Sequence, residues 1–430
     1  MRQAAKLLRF PLGGLAADGP YRDTTYPTEE SVYATPMAVN VIGPCALSGR
    51  ERGGSRPGLR RVTGVAATGR ARWLWPNGQG IAAGDAALVF ADVESATLAD
   101  GTRLALQHPA RTVYRDRLVK ADGAAWLASR TGDFGDFDFG GEGEDPTRPC
   151  AGTLAAAGAK GEAITALCPF GDARLFAATR RRLAVCAGEP STAWTTLSEN
   201  VGIVSADAWC DADGALYFVG PNGLYAVGDG APILVSQRIP RELRGLSSAL
   251  LVHDPSYGGI HVFTDAGDWF YDIARKAFWP MSYPAAMRPT AGFNALVGGE
   301  ARLVFRCADG NYRLWDDSSD ADDGTALESR VAIGPFLCGA NGGDGMLDAL
   351  DATLAEGSAD VSAAVATAHT AERAADADAA TPAATFHEGF NPTVRARRRG
   401  AWATLVLSSR GRWAYESIIA RTKAFGRLRP

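Results

Sequence analysis

The strongest constraint on what this chain can become is a recurring hairpin. Short runs rich in Val, Leu, Phe, Tyr and Trp are each followed, across a short turn, by a second run of the same kind. Five such pairs stand out: 112–119 with 125–128 across Asp122-Gly123, 173–178 with 183–186 across an arginine-rich turn, 215–219 with 223–227 across Pro221-Asn222, 260–264 with 268–272 across Ala266-Gly267, and 302–306 with 311–315 across Asp309-Gly310. Their turns repeat at intervals of roughly 40 to 57 residues, the period of four-stranded β-propeller blades. A fainter pair, 71–75 with 87–90, would bring the number of blades to about six. One four-stranded sheet cannot bury both faces alone, whereas sheets stacked radially cover one another. The expected fold is therefore all-β.

The texture differs at both ends. Residues 1–61 show little periodicity but much punctuation, at Gly13-Gly14, Gly43-Pro44, Gly53-Gly54 and Pro57-Gly58, and read as an extended arm or strap. Residues 62–323 form the propeller, ending in an acidic, serine-bearing linker over 316–323. Residues 324–430 alternate strands (327–331, 346–354, 359–367, 394–398, 401–407 and 415–420) with turns, and predict a small β-sandwich-like domain that completes the propeller or packs on it. The alanine-rich run 371–383 reads as a helix or, given its Asp residues and Pro382, a long loop.

Composition excludes several classes. Apolar residues make up 46 % and charged residues 21 % of 430, which suits a packed globular chain, and the 50 glycines demand many tight turns. A net charge of −4 rules out a uniformly basic nucleic-acid glove. Seven cysteines with no C-x-x-C pair argue against a disulfide framework or zinc knuckle and for a reducing compartment. Lys6, Arg9 and Pro11 interrupt the first apolar residues, so no signal-peptide core is expected, and no run of eighteen apolar residues could span a membrane.

Catalytic signals are sparse. The five histidines have no metal-ligand spacing, and His261, inside a strand, reads as a packed or hydrogen-bonded residue. Phosphate-binding glycine loops, a nucleophile elbow and the S-x-D-x-G-x-x-W turn of sialidases are all missing. The knot 133–145, with Asp133, Asp136 and Asp138, lacks the spacing of an EF-hand and reads as an exposed loop between blades, with Phe134, Phe137 and Phe139 docking onto the propeller, in preference to a calcium site. No cofactor, metal or enzymatic activity is expected. Two arginine clusters remain: Arg50, Arg52, Arg56, Arg60 and Arg61 in the strap, and Arg395, Arg397, Arg398 and Arg399, with Arg410 and Arg412, near the end. Arginine pairs bidentately with carboxylates as well as phosphates, and no RNA-binding motif accompanies it here, so subunit contacts are the favoured reading.

A family resemblance rests on three sets of residues. The first is Phe10-Pro-Leu-Gly-Gly-Leu15, Thr35-Pro-Met-Ala-Val-Asn-Val41 and Gly49-Arg-Glu-Arg-Gly-Gly-Ser-Arg-Pro-Gly-Leu59; the second is Tyr114-Arg-Asp-Arg-Leu118 with 129–138; the third is Val201-Gly-Ile-Val204 with Ala208-Trp209 and 213–225. Together they resemble tailed-bacteriophage β-propeller proteins of the tail hub or nozzle type, also called stabilisation proteins. The resemblance implies a structural virion protein of the tail, made in the host cytoplasm and assembled as a ring of six beneath the portal and head–tail adaptor. It also implies non-specific contact with DNA retained by, or passing through, the centre, and attachment of a tail fibre or spike. A ring needs one patch to meet a different patch on the neighbour. Opposite charge nominates Arg56, Pro57, Arg395, Arg397, Arg398 and Arg399 against Asp133, Asp136 and Asp138. The alternatives are a carbohydrate-binding or carbohydrate-cleaving propeller, with Trp73, Trp75, Trp126, Trp269 or Trp279 stacking on sugar, and a protein-interaction propeller of the kelch kind, which the stretch from Gly258-Gly259 through Trp269, Tyr271, Asp272 and Trp279 resembles in one copy.

Overall fold

The computed structural model describes residues 2–16, 33–62, 81–82, 88–89, 95–97, 103–105, 110–140, 145–237, 239, 241–297, 300–339 and 343–425. The chain is all-β. Four sheets are consecutive antiparallel meanders of four strands: Arg111–Tyr114 to Cys150–Thr153, Ala166–Phe170 to Trp194–Ser198, Trp209–Ala212 to Ile233–Leu234, and Ala249–Asp254 to Ala277–Met281. The first strands of successive sheets lie side by side, which makes them the innermost strands of propeller blades. Strand Gly259–Thr264 is buried at all six positions, as expected where neighbouring blades cover both faces.

A further blade is completed from afar. Pro289–Val297, Glu300–Cys307 and Tyr312–Asp316 form three strands, and the strap strand Gly58–Arg61 adds antiparallel to the last of them, Leu59 opposite Trp315. The strap therefore completes this blade, because without it the edge of Tyr312–Asp316 would carry unpaired backbone groups. Between the strap and Arg111, the described residues show only the pairs Ile81–Ala82 with Leu88–Val89 and Ser95–Thr97 with Arg103–Ala105. The expected strand 71–75 lies outside the described residues.

One predicted strand is in fact two. Over 112–119 the chain folds back at Arg115-Asp116, whose φ values of 50° and 56° make the tight turn that hairpins favour, and Val113 pairs with Leu118. An Arg-Asp turn carries no glycine signal, so the sequence reads through it.

The carboxy-terminal region is a β-sandwich. One sheet runs in the order Arg2–Leu8, Tyr415–Ala424, Gly345–Leu354, Gly389–Arg399; the other runs Ala38–Val39, Ser329–Leu337, Trp402–Ser409, Val361–Ala368, Thr381–Phe386. Each sheet thus takes a strand from the strap. The alanine-rich run resolves into one helical turn, Ala371–Ala374, capped by the Thr370 hydroxyl, and then the strand Thr381–Phe386, which accepts Pro382 because it is a sheet edge.

Sandwich and propeller share one core. Phe10, Val41 and Ile42 of the strap join Trp279 and Met281 of the outermost strand of its blade to Trp413, Tyr415 and Ile418 of the sandwich. Gly14 and Gly54 are needed for this fit: a Cβ on Gly14 would lie 2.6 Å from the Phe278 carbonyl oxygen, and one on Gly54 would collide with that of Trp413. All seven cysteines are free. Among the described residues no helix is long and apolar enough to cross a membrane.

Candidate assembly surfaces

Three strap arginines pair with the stretch that reads as an acidic linker, and one of them is buried; Arg52 pairs instead with Glu416, and Arg50 is exposed. Arg56 is fully buried and donates two hydrogen bonds to Asp322, at 2.6 and 3.0 Å, one to Asn40 Oδ1 and others to the carbonyls of Pro57 and Ser282. Its guanidinium stacks on Tyr283 and Trp315, 4.5 and 5.4 Å from the ring centres. Next along the strand, Arg60 pairs with Asp316, and Arg61 with Asp323 at 3.0 Å. Burial raises the Asp316 pKa, but hydrogen bonds from Ser318 and Arg60 outweigh it and hold the carboxyl below its ordinary value. Residues 316–323 are the counter-charge of the strap strand Gly58–Arg61 and its neighbours rather than a free linker. Arg56 and Pro57 are therefore corrected as interface candidates: both are buried within the chain and present no surface to a neighbour.

Beside Arg56 lies a fully buried histidine of the blades, His261. His261 Nε2 is 3.4 Å from Asp254 Oδ2, both residues are fully buried, and Phe270, Phe305 and Trp315 surround the ring. Burial pushes the His261 pKa down, against the opposing pull of Asp254. Asp254 also caps its own turn, accepting from the amides of Ser256 and Tyr257.

The four arginines of strand Gly389–Arg399 do not form one patch. Arg398 turns toward the other sheet and donates to the Pro382 carbonyl at 3.1 Å, while Arg399 pairs with Asp344 at 3.1 Å. Arg395 and Arg397 are exposed and have no acidic partner among the described residues. Arg397, at φ 48°, sits where the strand's pairing with Gly345–Leu354 slips register. Of the two outlying members, Arg410 pairs with Glu328 and Arg412 donates to the Asp317 carbonyl.

Asp133, Asp136 and Asp138 lie on the loop between the third and fourth strands of the blade Arg111 to Thr153. Each folds back on its own backbone, accepting at 2.9 Å from the amides of Gly135, Asp138 and Gly140 in turn. Asp136 and Asp145 also grip Arg130, at 2.6 and 2.8 Å. Hydrogen bonds from Thr147, with Arg130 behind them, hold the Asp145 carboxyl down to about 2. Of the three loop phenylalanines, Phe137 lies beneath Lys120, Phe134 is half-buried, and Phe139 stays exposed instead of docking. Among the described residues no group of three or more His, Cys, Asp and Glu converges as metal ligands do.

Sequence reasoning missed the acidic partners of the strap and also a set of exposed apolar residues on the sandwich. A signal for the latter existed. In a strand with one face buried, adjacent apolar residues such as Leu7-Leu8 and Ile418-Ile419 force one of each pair outward. Trp126, Trp269 and Trp279 are buried, and Trp73 and Trp75 lie outside the described residues.

No protein-family model matches the chain, and no curated protein matches it. Solved structures do. They include the extracellular domain of a B. thetaiotaomicron protein described as a one component system, at 11 % identity and a TM-score of 0.34 over 48 % of this chain and 26 % of that one. Another is PorZ, a surface component of the type-IX secretion system of Porphyromonas gingivalis, at 16 % and 0.29 over 55 % and 31 %. The N-terminal domain of Nup159 matches at 8 % and 0.19 over 48 % of this chain and 89 % of that one. The chain thus spans about a quarter to a third of the length of the first two.

Proposed function

We propose that the chain is a structural subunit of the tail of a tailed bacteriophage, forming the hub or nozzle ring beneath the portal and adaptor and helping to retain and conduct the genome. In this reading it catalyses no reaction. The observation that carries it is the use made of the strap. The residues that bear the family resemblance, Gly13-Gly14, Asn40 and 53–59, are the ones that stitch sandwich and propeller into a single body. A subunit that must hold position against DNA benefits from such lacing, because the lobes cannot part without stripping the strap's strands from one of them. The near-neutral overall charge is compatible with DNA sliding past, since each phosphate neutralised adds affinity and friction. Quantitative mass spectrometry of particles purified from a lysed source culture tests the reading. Roughly one copy per two portal subunits is expected, the ratio of a six-fold ring beneath a twelve-fold portal; absence from particles would overturn it.

A further inference from the structure

Few large apolar side chains are left exposed among the described residues, and most fall into two places. Leu7, Ile419 and Phe390, the last 70 % exposed, lie on the outward face of one sandwich sheet, whose other face packs into the core. Leu7 is directly opposite Ile419, Ile419 is opposite Asp351, and Phe390 is opposite Thr353, two residues further along the same strand. Phe139, 45 % exposed, is on the acidic loop of the propeller.

The charges at these two places complement each other. On the sheet face, Arg399, Arg421 and Lys423 are matched by Asp344, Asp351 and Asp348 at 3.1, 2.6 and 2.8 Å, which leaves Arg395 and Arg397 without acidic partners among the described residues. On the loop, Arg130 takes Asp136 and Asp145, while Asp133 and Asp138 bond only to backbone amides there. One patch thus has two spare cations beside an apolar strip, and the other two spare carboxylates beside an exposed phenylalanine.

We propose that these two patches are the halves of one interface between copies of this chain, with Phe139 of one copy seated on the Leu7, Ile419 and Phe390 strip of the next and Asp133 and Asp138 facing Arg395 and Arg397. The proposal rests on the ring reading above, for which it names the surfaces where neighbours meet. Unlike patches on different lobes allow a heterologous contact, the kind a ring requires. Phe139 stays exposed within its own chain, so an intramolecular contact does not cover it. The apolar strip supplies the dehydrated centre and the arginines fix orientation, the division of labour of a specific interface.

The test is sedimentation velocity of the purified full-length chain over rising concentration, with thermal unfolding of each variant recorded alongside. Wild type is expected to self-associate. R395E/R397E and D133R/D138R are each expected to weaken association by roughly tenfold or more, because like charges then meet across the contact, and the four changes combined in one chain to restore it. Mixing F139C with F390C chains is expected to give a disulfide-linked pair under mild oxidation. A wild-type monomer at every concentration, association insensitive to either reversal, or no recovery in the combined variant would overturn the proposal. If reversal and recovery hold but the protein is missing from phage particles, the interface stands and the tail reading falls. A full complement in particles with reversal-insensitive association does the opposite.

Discussion

Two arginine clusters of similar composition meet opposite fates. Three of the five strap arginines are spent on carboxylates of their own chain: Arg56 is buried against Asp322, and Arg60 and Arg61, though exposed, hold Asp316 and Asp323. The carboxy-terminal cluster stays at the surface, with Arg395 and Arg397 left over. The difference lies in what the tertiary fold brings opposite each. The strap runs beside 316–323, which supplies a carboxylate for each of these three arginines, whereas Gly389–Arg399 is a sheet edge whose few acidic neighbours are already taken. Arginine density alone thus says that pairing will occur, but not whether it is internal.

Breaking the buried member should have the largest effect. Arg56→Met leaves Asp322 as a buried charge with no cation opposite it and only the Leu59 amide donating to it, and a loss of about 3–5 kcal/mol is expected from urea unfolding. Removing both charges, as R56M/D322L, should cost markedly less; an equal loss would mean that Arg56 acts through its stacking on Tyr283 and Trp315 rather than through the ion pair.

The same pocket should give the fold a pH dependence that the surface cluster lacks. Burial lowers the folded pKa of His261, so at pH below its ordinary value of 6.5 the unfolded chain binds a proton that the folded chain refuses. Its contribution is intact above that value and is lost as pH falls toward the folded pKa, with a slope of at most about 1.4 kcal/mol per pH unit. His261→Phe, in a site already lined by Phe263, Phe270, Phe305 and Trp315, should remove this component from unfolding curves recorded between pH 7 and 5.

The smallest stability effect belongs to the exposed cluster. Arg397→Ala should change unfolding free energy by no more than about 0.5 kcal/mol, since the side chain has no partner among the described residues to lose. Calorimetry showing a larger loss would place Arg397 in an internal role and narrow the contrast between the two clusters.

Most of the blades were legible in the sequence because their order is local. The turns at Asp122-Gly123, Pro221-Asn222 and Asp309-Gly310 join strands that are neighbours in both chain and sheet, and the β-rich pattern around them suffices. The hairpin at Arg115-Asp116 escaped notice because two non-glycine residues adopt positive φ there. Of the site residues, Asp133, Asp136 and Asp138 were legible as a surface loop and Arg395 and Arg397 as exposed cations, but Arg56 was not legible as an internal residue. Its partner is 266 positions away, and no local pattern announces such a pairing.

The sequence by itself determined that this protein is all-β, built of repeated antiparallel hairpins with unlike ends, because alternation and turn chemistry act over a few residues. The tertiary structure decided which strand completes the blade of Tyr312–Asp316, which sheets the strap enters and which charges are spent inside. Those outcomes depend on segments far apart in the chain meeting in a particular register, where a buried arginine is tolerable only opposite its carboxylate and a glycine only matters against the backbone that crowds it.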